Sequence, residues 1–266
     1  MKRTLAASVL AGAAAVLAVV LVTTSVSAQE AAWKPEGPVP HAADGKPDLT
    51  GVWWLGREPA LEGGRVGAPG GARPAPVPGS PFGGLYQPWA AEKAKTLSDK
   101  DDPALRCIPS VGGPPQTNII QLIQTPTWLV LLQETYHGFR LIPTHPGRAH
   151  SEEAAPGYWG DSVGRWDGDT LIVDVTNFND RNWISPQGIV SFHSDALHVV
   201  ERYRRVAANA LQIDKTYEDP KVLTRPWVDK RTYRLAPFDQ VMEAMCTGTE
   251  TAALMEAAAK QNYGQK

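Results

Sequence analysis

The stretch SVGRWDGDTLIVDVTN, residues Ser162 to Asn177, decides the fold class. Runs of β-branched and aromatic residues lie on both sides of Asp167-Gly168, and an Asp-Gly pair supplies the positive φ angles of a type I′ turn. The reading is a hairpin of Ser162 to Trp166 and Asp169 to Asn177. Outward from it the same texture recurs. Leu197 to Arg205 and Leu211 to Glu218 flank Ala207-Ala208-Asn209, and Leu211, Ile213 and Tyr217 alternate with Gln212, Asp214 and Glu218, one dry face and one wet.

Upstream, Asn118 to Gln124, Trp128 to Glu134 and Phe139 to Ile142 read as three antiparallel strands. Leu49 to Leu55 reads as a first strand, and Val228 to Leu235 and Gln240 to Cys246 as the last two. About nine or ten strands exceed what most open sheets hold without curling or splitting into layers. The expected fold is therefore all-β, an antiparallel meander closing into a barrel, with a β-sandwich as the alternative.

The flanks are of different composition. Residues Met1, Lys2 and Arg3, an apolar run from Leu5 to Val22, and Val26-Ser27-Ala28 have the order of a secretory signal, with cleavage expected after Ala28 and an uncleaved anchor as the alternative. This places the protein in the periplasm or outside the cell, without stable membrane insertion after cleavage. No cysteine stands at the cut to take a lipid. Trp33 to Asp48 carries Pro35, Pro38, Pro40 and Pro47 and reads as an extended arm. Glu62 to Gly84 is too rich in Gly and Pro to bury a core of its own and reads as a loop or wrapping segment. Pro88 to Leu97 and the Ala-rich stretch Glu250 to Asn262, with Leu254 and Met255, read as helices, the second closing the chain. The organisation is thus a signal over 1–28, an arm over 29–48 and one β domain over 49–266 with the loop at 62–84.

A formal net charge of -2, with acids and bases interspersed, excludes the basic surface that nucleic acid requires. The 2 cysteines, Cys107 and Cys246, are expected to pair, because thiols tend to oxidise in the compartment the signal implies.

Asp48-Leu49-Thr50-Gly51-Val52-Trp53 resembles the Gly-x-Trp start of lipocalin-type barrels, which implies a Trp closing one barrel end. A longer resemblance runs through Gly164-Arg165-Trp166-Asp167-Gly168-Asp169-Thr170-Leu171-Ile172-Val173, Asn177-Phe178-Asn179-Asp180, Ser194-Asp195-Ala196-Leu197-His198-Val199-Val200-Glu201-Arg202, Asp219-Pro220 and Thr224-Arg225-Pro226-Trp227. These motifs are similar to those of a family of exported bacterial proteins of soil and marine organisms. The resemblance implies export and a β-rich fold and no particular reaction. Where similar proteins carry a His-Glu pair after the last cysteine, this chain has Thr247-Gly248.

Histidines are the first candidates for proton transfer because their ordinary pKa lies near neutrality. His145 and His150 share one loop, and His193 and His198 surround Ser194-Asp195. The expected catalytic group is His150 approaching His193, with Asp195 or Asp161 orienting an imidazole; solvated loop histidines are the alternative. In an extended segment His193 and Asp195 share a face that His198 does not. No i, i+4 histidine pair marks a metalloprotease helix, so no metal ligand set is assigned. The lack of a Gly-x-Ser-x-Gly elbow and of a nucleotide fingerprint leaves no organic cofactor implied. Among the 9 tryptophans, Trp159 and Trp183, with Arg165 and Arg181 near them in sequence, are expected to form a binding mouth for a flat apolar or aromatic ligand, or else to pack structurally at the barrel ends. The partner is a small-molecule ligand or substrate. Three functions follow: a carrier of a small hydrophobic or aromatic molecule, a cofactor-free acid/base enzyme (isomerase, dehydratase, cyclase or hydrolase) on the same barrel, or an envelope interaction protein.

Overall fold

Among the described residues, runs of β-branched, aromatic and alternating residues form nine strands. The computed structural model describes residues 33–55, 82, 84–112, 119–134, 138–185 and 190–241. The expected signal, most of the loop at 62–84, Cys246 and the closing helix over 250–262 lie outside the described residues. The strands are β1 Gly51–Trp54, β2 Ile119–Gln124, β3 Trp128–Gln133, β4 Phe139–Pro143, β5 Asp161–Asp167, β6 Thr170–Thr176, β7 His198–Ala207, β8 Ala210–Glu218 and β9 Trp227–Leu235. A helix, α1, spans Pro88–Lys95, with Pro88 at its first turn where a missing N–H costs nothing. Gln240 and Val241, expected in a tenth strand, are irregular, and the rest of that segment lies outside the described residues. The barrel belongs to a compact unit of Pro35–Lys266, distinct from a unit of Met1–Lys34.

All neighbouring strands are antiparallel, in the order β4-β3-β2-β1-β9-β8-β7-β6-β5, and the sheet curls into a nearly closed barrel. The first and last strands complete the sheet through Trp53↔Leu235 and Trp54↔Arg234. The remaining seam is between β4 and β5, which side chains join. Arg140 of β4 donates from Nη2 to Ser162 Oγ of β5 at 2.7 Å. Gly164 faces the seam, and a Cβ there would stand 2.9 Å from Thr144 Cγ2 and 3.2 Å from Ile142 Cγ2, so glycine is what lets the two edges approach.

The β5–β6 hairpin is as expected in place but differs in its turn. Asp167 pairs with Thr170, which makes Gly168 and Asp169 the central residues. Gly168 has φ +56 and Asp169 is not among the positive-φ residues. Glycine at the first central position with only that residue at positive φ fits a type II′ turn rather than type I′.

Both barrel ends are capped. At the end carrying the β5–β6 and β7–β8 turns, Trp53 is fully buried, donates from Nε1 to the Leu49 carbonyl at 3.0 Å and is covered by the Arg205 guanidinium 4.9 Å from the ring centre. The proline-rich arm is not fully extended: His41 pairs with Pro47 around a turn, and Ala208 N–H donates to Gly37 at 3.1 Å, which seats the arm on the β7–β8 turn. At the other end Phe82 packs edge-on to Trp227 (4.7 Å between centres) and Tyr86 stacks on Phe192 (5.3 Å). The segments around α1 and between β6 and β7 thus plug this end.

Gly164→Val is expected to wedge the seam and lower stability by about 1–3 kcal/mol, the usual cost of overpacking; chemical denaturation of the two proteins measures it.

Candidate functional site

Strand register brings outward-facing side chains of β5 to β8 together at the end plugged by α1. His198 and Glu218 are direct cross-strand partners, and Asp161 and Asp174 lie on the same outer face of β5 and β6. His150 reaches them from the β4–β5 loop. Its Nδ1 is 2.7 Å from Asp161 Oδ2 and its Nε2 is 2.9 Å from Asp174 Oδ1. The Ser151 N–H also donates to Asp161 Oδ2, at 3.2 Å. The second carboxylate oxygen of Asp174 is 2.9 Å from His198 Nε2, while His198 Nδ1 is 3.8 Å from Glu218 Oε2, beyond hydrogen-bond reach.

The partners set the protonation states. Two carboxylates face His150, and ionised carboxylates only accept, so they favour the form in which both ring nitrogens donate, the cation. Partial burial pulls its pKa down, but the hydrogen bonds and charges of Asp161 and Asp174 outweigh this, and the pKa is raised. Burial pushes Asp174 up, and the bonds from His198 and His150 more than offset it, holding the carboxyl below its usual range. His198 meets Asp174 through Nε2 and turns Nδ1 towards Glu218. Two imidazoles joined through one carboxylate are thereby on one part-exposed surface.

The barrel interior holds a second polar group. Arg140 Nη1 donates to both Glu201 oxygens at 3.0 and 2.9 Å, Lys215 Nζ lies 3.1 Å from Glu201 Oε1, and Tyr203 OH donates to Glu201 Oε2 at 2.8 Å. Burial alone would raise the Glu201 pKa, but Arg140 and Lys215 bring it down to about 2. Beside Lys215 a cavity of about 10 Å³, room for roughly one water, is lined by Gly112, Asp229, Arg231 and Tyr233 among others. Large side chains fill the rest: Trp53, Tyr203, Tyr217, Leu122, Leu129, Ile142 and Leu171 are all below 2% exposed.

The structure separates the other residues expected in a site. His193 is buried, with Nδ1 2.8 Å from the Ser194 carbonyl and Nε2 2.9 Å from Asn182 Oδ1; burial lowers its pKa, and no hydrogen bond links it to His150 among the described residues. Asp195 is exposed and pairs with Lys221 at 2.6 Å. Trp159 donates to the Ser110 carbonyl at 2.9 Å and packs on Gly138, Trp183 is buried with its carbonyl accepting from Val111, and Arg165 and Arg181 are exposed. The two indoles thus serve the plug at the barrel end. Cys107 closes the 3-10 turn Pro103–Arg106 with a left-handed backbone, and Cys246 lies outside the described residues. Sequence reasoning did not single out Asp174 or Glu201. Asp174 had a signal, a carboxylate between Val173 and Val175 at an outward position of a strand. Glu201 and Arg140 had a weaker one, a charge at an inward position of an alternating run.

Compared with known proteins, the chain matches no family model, no curated protein and no solved structure.

Glu201→Gln is expected to leave Arg140 and Lys215 buried without their counter-charge and to cost about 3–5 kcal/mol, read by urea unfolding near neutral pH. Below the ordinary glutamate pKa the stabilisation from Glu201 in the wild type decays, and it is lost as pH falls through about 2. His150 has the opposite sign. Its raised pKa means that its contribution is full below about pH 6.5 and is lost as pH rises through the folded value; part exposure keeps it under about 1 kcal/mol. Wild type and His150→Gln should therefore converge in stability at alkaline pH, as paired denaturation curves would report.

Proposed function

We propose that this chain is an exported, cofactor-free acid/base enzyme, with His198 as the general base at the outer wall of the barrel. The observation that carries this reading is Asp174 bridging His198 Nε2 and His150 Nε2, each at 2.9 Å. A carboxylate that accepts the Nε2–H of an imidazole fixes its tautomer and leaves Nδ1 free to take a proton, the logic of a base and its orienting group. His150, held as a cation by Asp161, keeps Asp174 ionised and in place. His198 Nδ1 removes a proton from a carbon next to a carbonyl, the C–H electron pair passes into the carbonyl to give an enolate, and the same proton or one from water returns to carbon. Isomerisation and dehydration both begin with this step. The large side chains that fill the interior favour this reading over a hydrophobic carrier, and they move the site from the barrel mouth to its wall.

Export follows from the amino-terminal pattern, with the mature chain starting at Gln29, and Cys107 paired with Cys246 in that setting. Protein recovered from the periplasm should begin at Gln29 and have an intact mass lower by two hydrogens than after reduction; a mass unchanged by reduction would remove the disulfide.

The catalytic proposal is tested without knowing the natural substrate. Small 2-oxo acids, β-keto acids and lactones in heavy water should exchange their α-hydrogens faster with the protein than with buffer, followed by proton NMR. His198→Gln and Asp174→Asn should slow this by at least about 100-fold, the usual worth of a positioned base, while His193→Gln should not. Exchange no faster than in buffer across the panel, or unchanged in His198→Gln, overturns the assignment.

A further inference from the structure

The outer face of β2–β3–β4 carries large exposed apolar residues, where most outward residues of β5–β8 are charged or polar. Ile123, Trp128, Phe139 and Leu141 are 39%, 39%, 60% and 53% exposed. They are contiguous, because Ile123 pairs with Val130 and Val130 with Leu141, Leu132 pairs with Phe139, and Trp128 starts the same face of β3. Isolated exposed apolar residues need no explanation, but a cross-strand patch of this kind marks a surface that is covered in use.

The described chain ends on the border of this patch. Gln121, on the outer face of β2 beside Leu132, accepts from the Val241 N–H through Oε1 at 3.4 Å and donates from Nε2 to the Asp239 carbonyl at 3.4 Å. Residues 242–266 therefore start from β2, next to the patch. Their sequence suits it: Ala252, Ala253, Leu254, Met255, Ala257, Ala258 and Ala259 give a helix-forming run in which Leu254 with Ala258 and Met255 with Ala259 fall on one side at i, i+4. Small residues let a helix lie close on a flat sheet. A helix over 250–262 would be about 20 Å long, enough to cross three strands spaced about 4.8 Å apart.

We propose that the outer face of β2–β3–β4 is the docking surface for the segment 242–266 of the same chain, which lies across it as a helix with Leu254 and Met255 facing Phe139 and Leu141. The barrel then has one wall sealed by its own carboxyl-terminal segment and the opposite, charged wall open.

A photo-reactive benzophenone side chain placed at Leu141 in the otherwise native mature protein should, on irradiation, join to a peptide within 242–266 of the same molecule. Hydrogen exchange of the full chain gives an independent reading: amides of 250–262 should be protected, and Phe139→Glu with Leu141→Glu should reduce that protection at least tenfold while β6 to β8 stay protected. Unprotected amides over 250–262 in the wild type, or protection that the double variant leaves unchanged, would overturn the proposal. So would a cross-link to a second molecule, which would assign the face to a dimer, or binding of the wild type to phosphatidylglycerol vesicles that the double variant loses, which would assign it to a membrane.

Discussion

The Arg140–Glu201 pair is the interaction on which the rest of the barrel depends. Backbone hydrogen bonds run around the sheet from β4 through β1 and β9 to β5 and stop there, so the seam has no ladder to hold it. Arg140 crosses it, with Nη1 on Glu201 of β7 and Nη2 on Ser162 of β5. Charges this deeply buried are not the most stable filling for a core, since well-packed apolar residues often do as well or better. What the pair supplies is direction: a glutamate that must find Arg140 and Lys215 admits one register of β4 against β5, whereas a greasy seam could slide.

That seam also explains where chemistry can sit. The β4–β5 connection is long, and it carries His150 back over the outer wall to Asp161 and Asp174. Closing the barrel therefore positions the imidazole. The interior has no comparable freedom, because aromatic and branched side chains fill it and its polar layer is tied up in its own ion pairs. The His198, Asp174 and Glu218 cluster lies instead on the surface, where the strand register, rather than a pocket, holds the spacing of its side chains.

The two walls differ for a reason visible in the strands. On β5 to β8 most outward positions are charged or polar, as at Asp174, Arg202 and Asp214, and suit water, with Val163, Ile172 and Val200 among them. On β2 to β4 they include Ile123, Leu132, Phe139 and Leu141, which do not. A sheet that is dry on both faces needs a cover, and the chain leaves β9 towards that side through its contacts with Gln121.

Most of the architecture was legible from the amino-acid sequence, because a strand's periodicity of two is a local property. Strands β1 to β9 were readable to within a residue or two, as was α1, and the alternation of Leu211, Ile213 and Tyr217 placed the core face of β8. The hairpin at Gly168 was readable, but its turn type was not, since that depends on which residue pairs with Thr170. The seam at β4–β5 was not legible either: a meander read strand by strand does not say which pair of edges is left unbonded. The candidate site divides the same way. His150 and Asp161 could be named as chemistry-bearing residues, but their union with Asp174 and His198 rests on register across four strands. Sequence spacing likewise suggested His193 as a partner, whereas the loop between β6 and β7 buries it against Asn182. Residue type and period are written along the chain; which side chains meet is decided only when distant strands align and the barrel closes.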